Sequence, residues 1–105
     1  MFSTIPYVSS RDDPELAEEE VYFYGLSFCE HCTRGRELLD ELGIPYRMTY
    51  LDELAPDIRR PVLTEFRRIY GKSVLYPVLE IDGAYTFGYD RQIWSELLRP
   101  LSQET

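Results

Sequence analysis

The sequence predicts one α/β domain with the element order β-α-β-α-β-β-α between residues 21 and 101. Two patterns carry this reading. A strand, a helix and a second strand follow one another after residue 21, and a tight hairpin followed by an amphipathic helix closes the chain.

Val21-Tyr22-Phe23-Tyr24 is a short aromatic and β-branched run stopped by Gly25, which reads as a mostly buried strand. From Glu30 the period becomes helical, with Gly35, Leu38, Leu39 and Leu42 three and four apart, and Gly43 placed to end the helix. Gly35 offers a point of close approach between that helix and the sheet. After Pro45, Tyr46, Met48 and Tyr50 alternate with Arg47, Thr49 and Leu51, so a second strand follows, parallel to the first through a right-handed crossover. Residues 52–60 are polar and contain Pro56; they read as a loop or a ragged turn before a helix that starts at Pro61. Val62, Leu63, Phe66, Ile69 and Tyr70 supply its apolar face, and Gly71 ends it.

Pro77 to Ile81 reads as a strand, Asp82-Gly83 as a two-residue turn, and Ala84 to Phe87 as the antiparallel return. Asp90 is the expected N-cap of the last helix, which is expected to bury Ile93, Trp94, Leu97, Leu98 and Leu101 and is interrupted by Pro100.

At 105 residues and 44% hydrophobic, the chain suits one core rather than two. A net charge of −8 opposes unassisted binding to nucleic acid or to an anionic membrane, so neither is an expected partner. The charge is uneven. Residues 1–20 hold six acids against Arg11, whereas residues 21–105 hold 13 acids and 10 bases. Residues 1–20 therefore read as an acidic, flexible extension, with a short helix from Asp13-Pro14 as an option, and residues 21–105 as the folded domain. No basic segment followed by an apolar one opens the sequence, and no run is long enough to span a bilayer, so the cytoplasm is the expected compartment.

Two cysteines three positions apart, Cys29 and Cys32, do not resemble the stapling framework of a small secreted domain. Their position between a strand end and a helix start suits redox chemistry. Cys29 would lie where unsatisfied N–H groups and the helix dipole favour a thiolate, and Cys32, one turn on, is placed to attack a mixed disulfide formed at Cys29. Half of a metal site and a pair of inert thiols are the alternatives; a closed zinc site needs four ligands, and His31 is the only histidine. His31 is either a donor that lowers the Cys29 pKa or an exposed polar residue, while the carboxylate of Glu30 opposes a neighbouring thiolate.

The stretch Tyr24-Gly25-Leu26-Ser27-Phe28-Cys29-Glu30-His31-Cys32, followed by Glu37-Leu38-Leu39-Asp40-Glu41-Leu42-Gly43-Ile44-Pro45-Tyr46, resembles the opening half of bacterial glutaredoxin-family proteins. Tyr76-Pro77 falls where that superfamily has a cis-proline loop facing the cysteines, and Gly88-Tyr89-Asp90 matches the glycine-x-aspartate before its last helix. The resemblance spans about residues 21–98. It implies the thioredoxin/glutaredoxin fold, with a four-stranded mixed sheet flanked by helices, and a dithiol reductase that acts through Cys29 and Cys32.

It further implies a substrate or glutathione groove at Tyr76, Pro77, Gly88, Tyr89 and Asp90, where the backbone of Tyr76 pairs with an extended substrate and the rings of Tyr76 and Tyr89 either flank the groove or fill the core. Lys72, with Arg67 and Arg68, is a candidate for a glutathione carboxylate, or else part of a solvated face. No bound cofactor is implied. Disulfide-containing proteins are the expected partners, and glutathione as co-substrate or a thioredoxin reductase is the expected electron donor. Glutathione-using members commonly carry a lysine three positions before the first cysteine and a proline after it; Leu26 and Glu30 stand there, and Arg91 replaces a frequent second aspartate. Two other readings compete: a dimer that pools its cysteines around an iron–sulfur cluster or metal, and a redox-regulated adaptor without turnover.

Overall fold

A computed structural model of the chain describes residues 2, 4–9 and 21–101. Its elements are β1 (Val8–Ser9), β2 (Val21–Gly25), α1 (Glu30–Glu41), β3 (Arg47–Tyr50), α2 (Pro56–Tyr70), β4 (Val78–Ile81), β5 (Ala84–Phe87) and α3 (Arg91–Leu98), with 3-10 turns at Leu51–Glu53 and Arg99–Leu101. The strand order is β1-β3-β2-β4-β5. β2 and β3 are parallel, as the helical crossover requires, and the other pairs are antiparallel.

All five residues of β2 are buried because helices cover both faces of the sheet. Phe23 points into a cluster with Leu38, Leu39, Leu79, Trp94 and Leu98. Tyr22 and Tyr24 point the other way, toward Val62, Phe66, Val78 and Ile5. Gly35 is the contact point of the first cluster: a Cβ there would stand 3.0 Å from the Trp94 ring and 3.2 Å from that of Phe23. The hairpin turn is as expected, with Asp82 at φ 50° and Gly83 at φ 83°, the pair of left-handed residues that a two-residue turn demands.

The structure corrects four expectations. The sheet has five strands rather than four, because β1 adds to the edge of β3 with Val8 opposite Met48. The segment before residue 10 is accordingly not all solvated tail. Ile5 is buried, and the Tyr7 hydroxyl, which accepts the Phe2 N–H at 3.1 Å, lies 2.8 Å from that of Tyr24. Asp12 to Glu20, with the helix considered at Asp13-Pro14, lie outside the described residues.

α2 begins at Pro56 rather than Pro61, so the segment read as a loop supplies its first turn. Both prolines carry the same start signal. Pro61 is tolerated one turn in, where it removes a single intrahelical N–H near the exposed end. Finally, α3 buries Trp94 and Leu98 but leaves Ile93 and Leu97 50% and 41% exposed. An eight-residue helix that sits on the sheet by one i, i+4 row has its neighbouring row outside.

Glu80 is buried on β4 and accepts the Tyr24 hydroxyl at 2.6 Å. Burial and that carboxylate push the Tyr24 phenol far above its ordinary range, so it stays a donor. No helix among the described residues is long and apolar enough to cross a membrane.

Candidate active site

β2, the central strand, delivers the chain to one end of the sheet, and the turn into α1 presents both cysteines. Cys29 is the N-cap of α1, in extended conformation, and its Sγ accepts the Cys32 N–H at 3.2 Å. That bond and the helix start favour negative charge on Cys29. Cys32 is buried at 2% exposure, with its Sγ 3.5 Å from the Leu26 N–H. Its thiol is pushed up to about 12, first by burial, then by the bond with Cys29, with the Asp52 charge adding to the effect. Both cysteines are free thiols: Cys29 is half-buried and Cys32 is enclosed. A side chain at Gly25 would meet the Phe23 ring at 2.7 Å and Cys32 Sγ at 3.4 Å, so the strand end must be glycine for Cys32 to pack there.

The site residues expected from sequence divide into those that the fold gathers and those that it leaves outside. His31, Tyr76, Gly88, Tyr89 and Asp90 line one cleft of about 300 Å³, together with Leu75, Ile93 and Trp94. Pro77, next to Tyr76, is buried and outside the lining, and the Tyr76–Pro77 bond is cis. Gly88 has φ 84° and closes the cleft wall, donating its N–H to the carbonyls of Leu75 at 3.1 Å and Pro77 at 2.9 Å. Trp94 is the floor; its Nε1–H donates to Gly88 O at 3.0 Å, and Tyr89 meets its ring edge-on at 5.2 Å. Asp90 Oδ1 accepts the Ile93 N–H at 3.1 Å, so its carboxylate is engaged as the α3 cap. Burial raises the Tyr76 phenol, and the charge of Arg67 partly offsets this. Glu30 is exposed and pairs with Arg34 at 2.7 Å. Lys72 is exposed and does not line the cleft.

The sequence alone does not reveal the tie between Ser27 and Asp52. Asp52 Oδ1 accepts the Ser27 N–H at 3.0 Å, and Oδ2 accepts the Ser27 hydroxyl, which ties the loop carrying Cys29 to the exit of β3. The Ser27 hydroxyl holds the Asp52 carboxyl below its usual range. The signal lay in the topology. β2 and β3 are parallel with Gly25 opposite Tyr50, so the residues two further on, Ser27 and Asp52, emerge side by side. Ile93 and Trp94, expected only as the buried face of the last helix, form cleft wall and floor, and Leu75, to which the sequence assigns no role, forms the other wall.

Comparisons with known proteins agree with this geometry. Residues 23–88, more than half of the chain, match the family model of the glutathione S-transferase N-terminal domain. The glutaredoxin of Archaeoglobus fulgidus is 30% identical, with 86% of this chain and 98% of that chain covered and a TM-score of 0.67. The glutaredoxin of Methanosarcina mazei is likewise 30% identical, over 75% of this chain and 77% of that chain, with a TM-score of 0.66. A buckwheat glutaredoxin in complex with glutathione shares the fold at 21% identity, over 85% of this chain and 81% of that one, with a TM-score of 0.66. No curated protein is significantly similar to the chain. With its thioredoxin-type sheet, its Cys29/Cys32 pair and these relatives, the chain belongs to the glutaredoxin family and is an oxidoreductase of the thiol–disulfide class.

Proposed function

We propose that the chain is a dithiol reductase in which Cys29 is the nucleophile and Cys32 the resolving thiol. The observation that carries this is the asymmetry of the pair: an accessible sulfur that accepts an N–H at a helix start, beside an enclosed thiol held protonated. The Cys29 thiolate attacks one sulfur of a substrate disulfide and expels the other as a thiolate, which takes a proton from solvent. Cys32 then gives up its proton and attacks the Cys29 sulfur. The Cys29–Cys32 disulfide forms, the second substrate thiolate leaves, and two electrons have passed to the substrate. The cleft that His31 joins to the cysteine turn receives the substrate, with Tyr76, Gly88, Tyr89 and Asp90 in its lining and the buried cis-Pro77 behind them. Glutathione, two molecules per turnover, or a thioredoxin reductase returns the protein to the dithiol in a reducing compartment such as the cytoplasm. The buckwheat relative in complex with glutathione supports the first donor.

The test separates the two sulfurs. Cys29→Ser is expected to abolish reduction of a small mixed disulfide, and Cys32→Ser to accumulate a covalent adduct at Cys29 visible by mass spectrometry. An adduct on Cys32 in the wild-type protein, or full turnover by Cys29→Ser, rejects the assignment. His31, with Glu30 opposing it, is assigned the tuning of Cys29 reactivity; His31→Ala is expected to slow alkylation of Cys29 by iodoacetamide at pH 7, and an unchanged rate removes that role.

A further inference from the structure

The rim of the cleft is strongly apolar and strongly exposed. Phe28, immediately before Cys29, is 98% exposed; Leu75 and Ile93, which wall the cleft, are 52% and 50% exposed, and Leu97 continues the Ile93 row along α3. Leu75 and Ile93 are exposed on a cleft that His31, two residues after Cys29, also lines, and large apolar side chains exposed at such a cleft mark a binding surface. The charge of the cleft narrows the ligand. Among the described residues no lysine or arginine lines it; its ionisable members are His31, the two phenols of Tyr76 and Tyr89, and Asp90, whose carboxylate already caps α3. Arg67, whose charge is felt at Tyr76, stands outside the lining. A ligand with two carboxylates therefore meets no fixed cation inside the cleft, while an apolar side chain meets exposed Leu75 and Ile93 at the sides, above a floor set by the buried Trp94. A volume of about 300 Å³ is at the small end for whole-molecule pockets and suits one large side chain and its flanking backbone.

We propose that the preferred substrate is a polypeptide disulfide whose cysteine is flanked by a large apolar residue, which seats in the cleft over Trp94. This rests on the dithiol reading for its chemistry and adds the recognition element that chooses the substrate. Neither the peptide backbone nor a carboxylate would supply that choice: the backbone is common to all partners, and a carboxylate would face the engaged Asp90.

The test uses capped tetrapeptides of sequence Gly-X-Cys-Gly as symmetrical disulfides, with X as leucine, phenylalanine or aspartate, beside oxidised glutathione and neutral hydroxyethyl disulfide. Rates with the reduced full-length protein are divided by those with dithiothreitol to remove intrinsic reactivity. The leucine and phenylalanine peptides are expected to react about tenfold or more faster than the aspartate peptide, as one apolar group in a fitted pocket discriminates. Ile93→Asp and Leu75→Asp are expected to bring that ratio to about one or below. Trp94 is the only tryptophan, so occupancy is also readable without chemistry: in Cys29→Ser protein, peptides bearing serine for cysteine should perturb its fluorescence at lower concentration when X is apolar. If no disulfide is reduced while this order persists, the surface stands and the dithiol reading falls. A ratio near one in both assays, or preference for oxidised glutathione over the apolar peptides, overturns the substrate class.

Discussion

The enclosed thiol of Cys32 gives the most direct quantitative test of the site. Its pKa rises from the ordinary 9.0 to about 12, chiefly through burial. At pH 7 an ordinary thiol is thiolate in about one molecule in a hundred, whereas a thiol at about 12 is so in about one in 10⁵. Only the thiolate is alkylated, so Cys32 is expected to react about a thousandfold more slowly than an unhindered cysteine, before any steric shielding is counted. Reduced native protein would be treated briefly with iodoacetamide at several pH values and each cysteine quantified by peptide mapping. Cys29 is expected to be labelled first, and Cys32 labelling to climb about tenfold per pH unit beyond pH 9, where an ordinary thiol levels off. The same shift has a stability consequence of known sign. Between pH 9 and about 12 the unfolded chain ionises at this position while the folded one stays protonated, so the unfolded state binds fewer protons. The contribution is fully present below pH 9 and is lost as pH rises through that window. Labelling of Cys32 at pH 7 within tenfold of a free cysteine, or ahead of Cys29, would refute the reasoning.

Gly35→Ala places a methyl 3.0–3.2 Å from two fully buried rings that have nowhere to move. Overpacking of about 1–3 kcal/mol, less about 1 kcal/mol of gained helix propensity, gives an expected loss of roughly 0–2 kcal/mol in a urea titration, and a stabilised variant contradicts the packing. Leu26→Lys supplies the ammonium that glutathione-using relatives commonly have at this position. One charge-assisted contact of about 1.5–3 kcal/mol should lower the half-saturating glutathione concentration roughly tenfold to hundredfold in an NADPH-coupled assay, and no change would mean that another residue already provides it.

What was legible in the sequence was what neighbouring residues decide. The β2 run stopped by Gly25, the cysteines at a helix start, the Asp82-Gly83 turn and the Asp90 cap each depend on a few adjacent side chains, and each is where it was expected. What was missed depends on distant partners. β1 is two residues long and exists because the edge of β3 offers it bonds; its apolar anchors Ile5 and Tyr7 are diluted by the acidic stretch that follows. Pro56 and Pro61 carry the same local signal, and only packing of Val62 and Phe66 under the sheet decides how early the helix begins. Ser27 and Asp52 are far apart in sequence, and their contact is a property of parallel pairing.

The two faces of the sheet divide the work, and this explains why the cleft is coupled to the core. On one face, Tyr24, Glu80 and Tyr7 form a buried chain of hydrogen bonds that holds the first strand to the centre. On the other, Trp94 touches three things at once: the helix that carries the cysteines, through Gly35; the turn that closes the cleft, through the carbonyl of Gly88; and the cleft itself, as its floor. The shape of the cleft is therefore set by a fully buried indole packed beneath it, while exposed Leu75 and Ile93 offer the contact surface. An interior packed this densely does not deform by small amounts. A substitution that shifts Trp94 must then alter stability and substrate choice together, while one at exposed Ile93 or Leu75 alters choice with little effect on stability, which is the property that lets the two be measured apart.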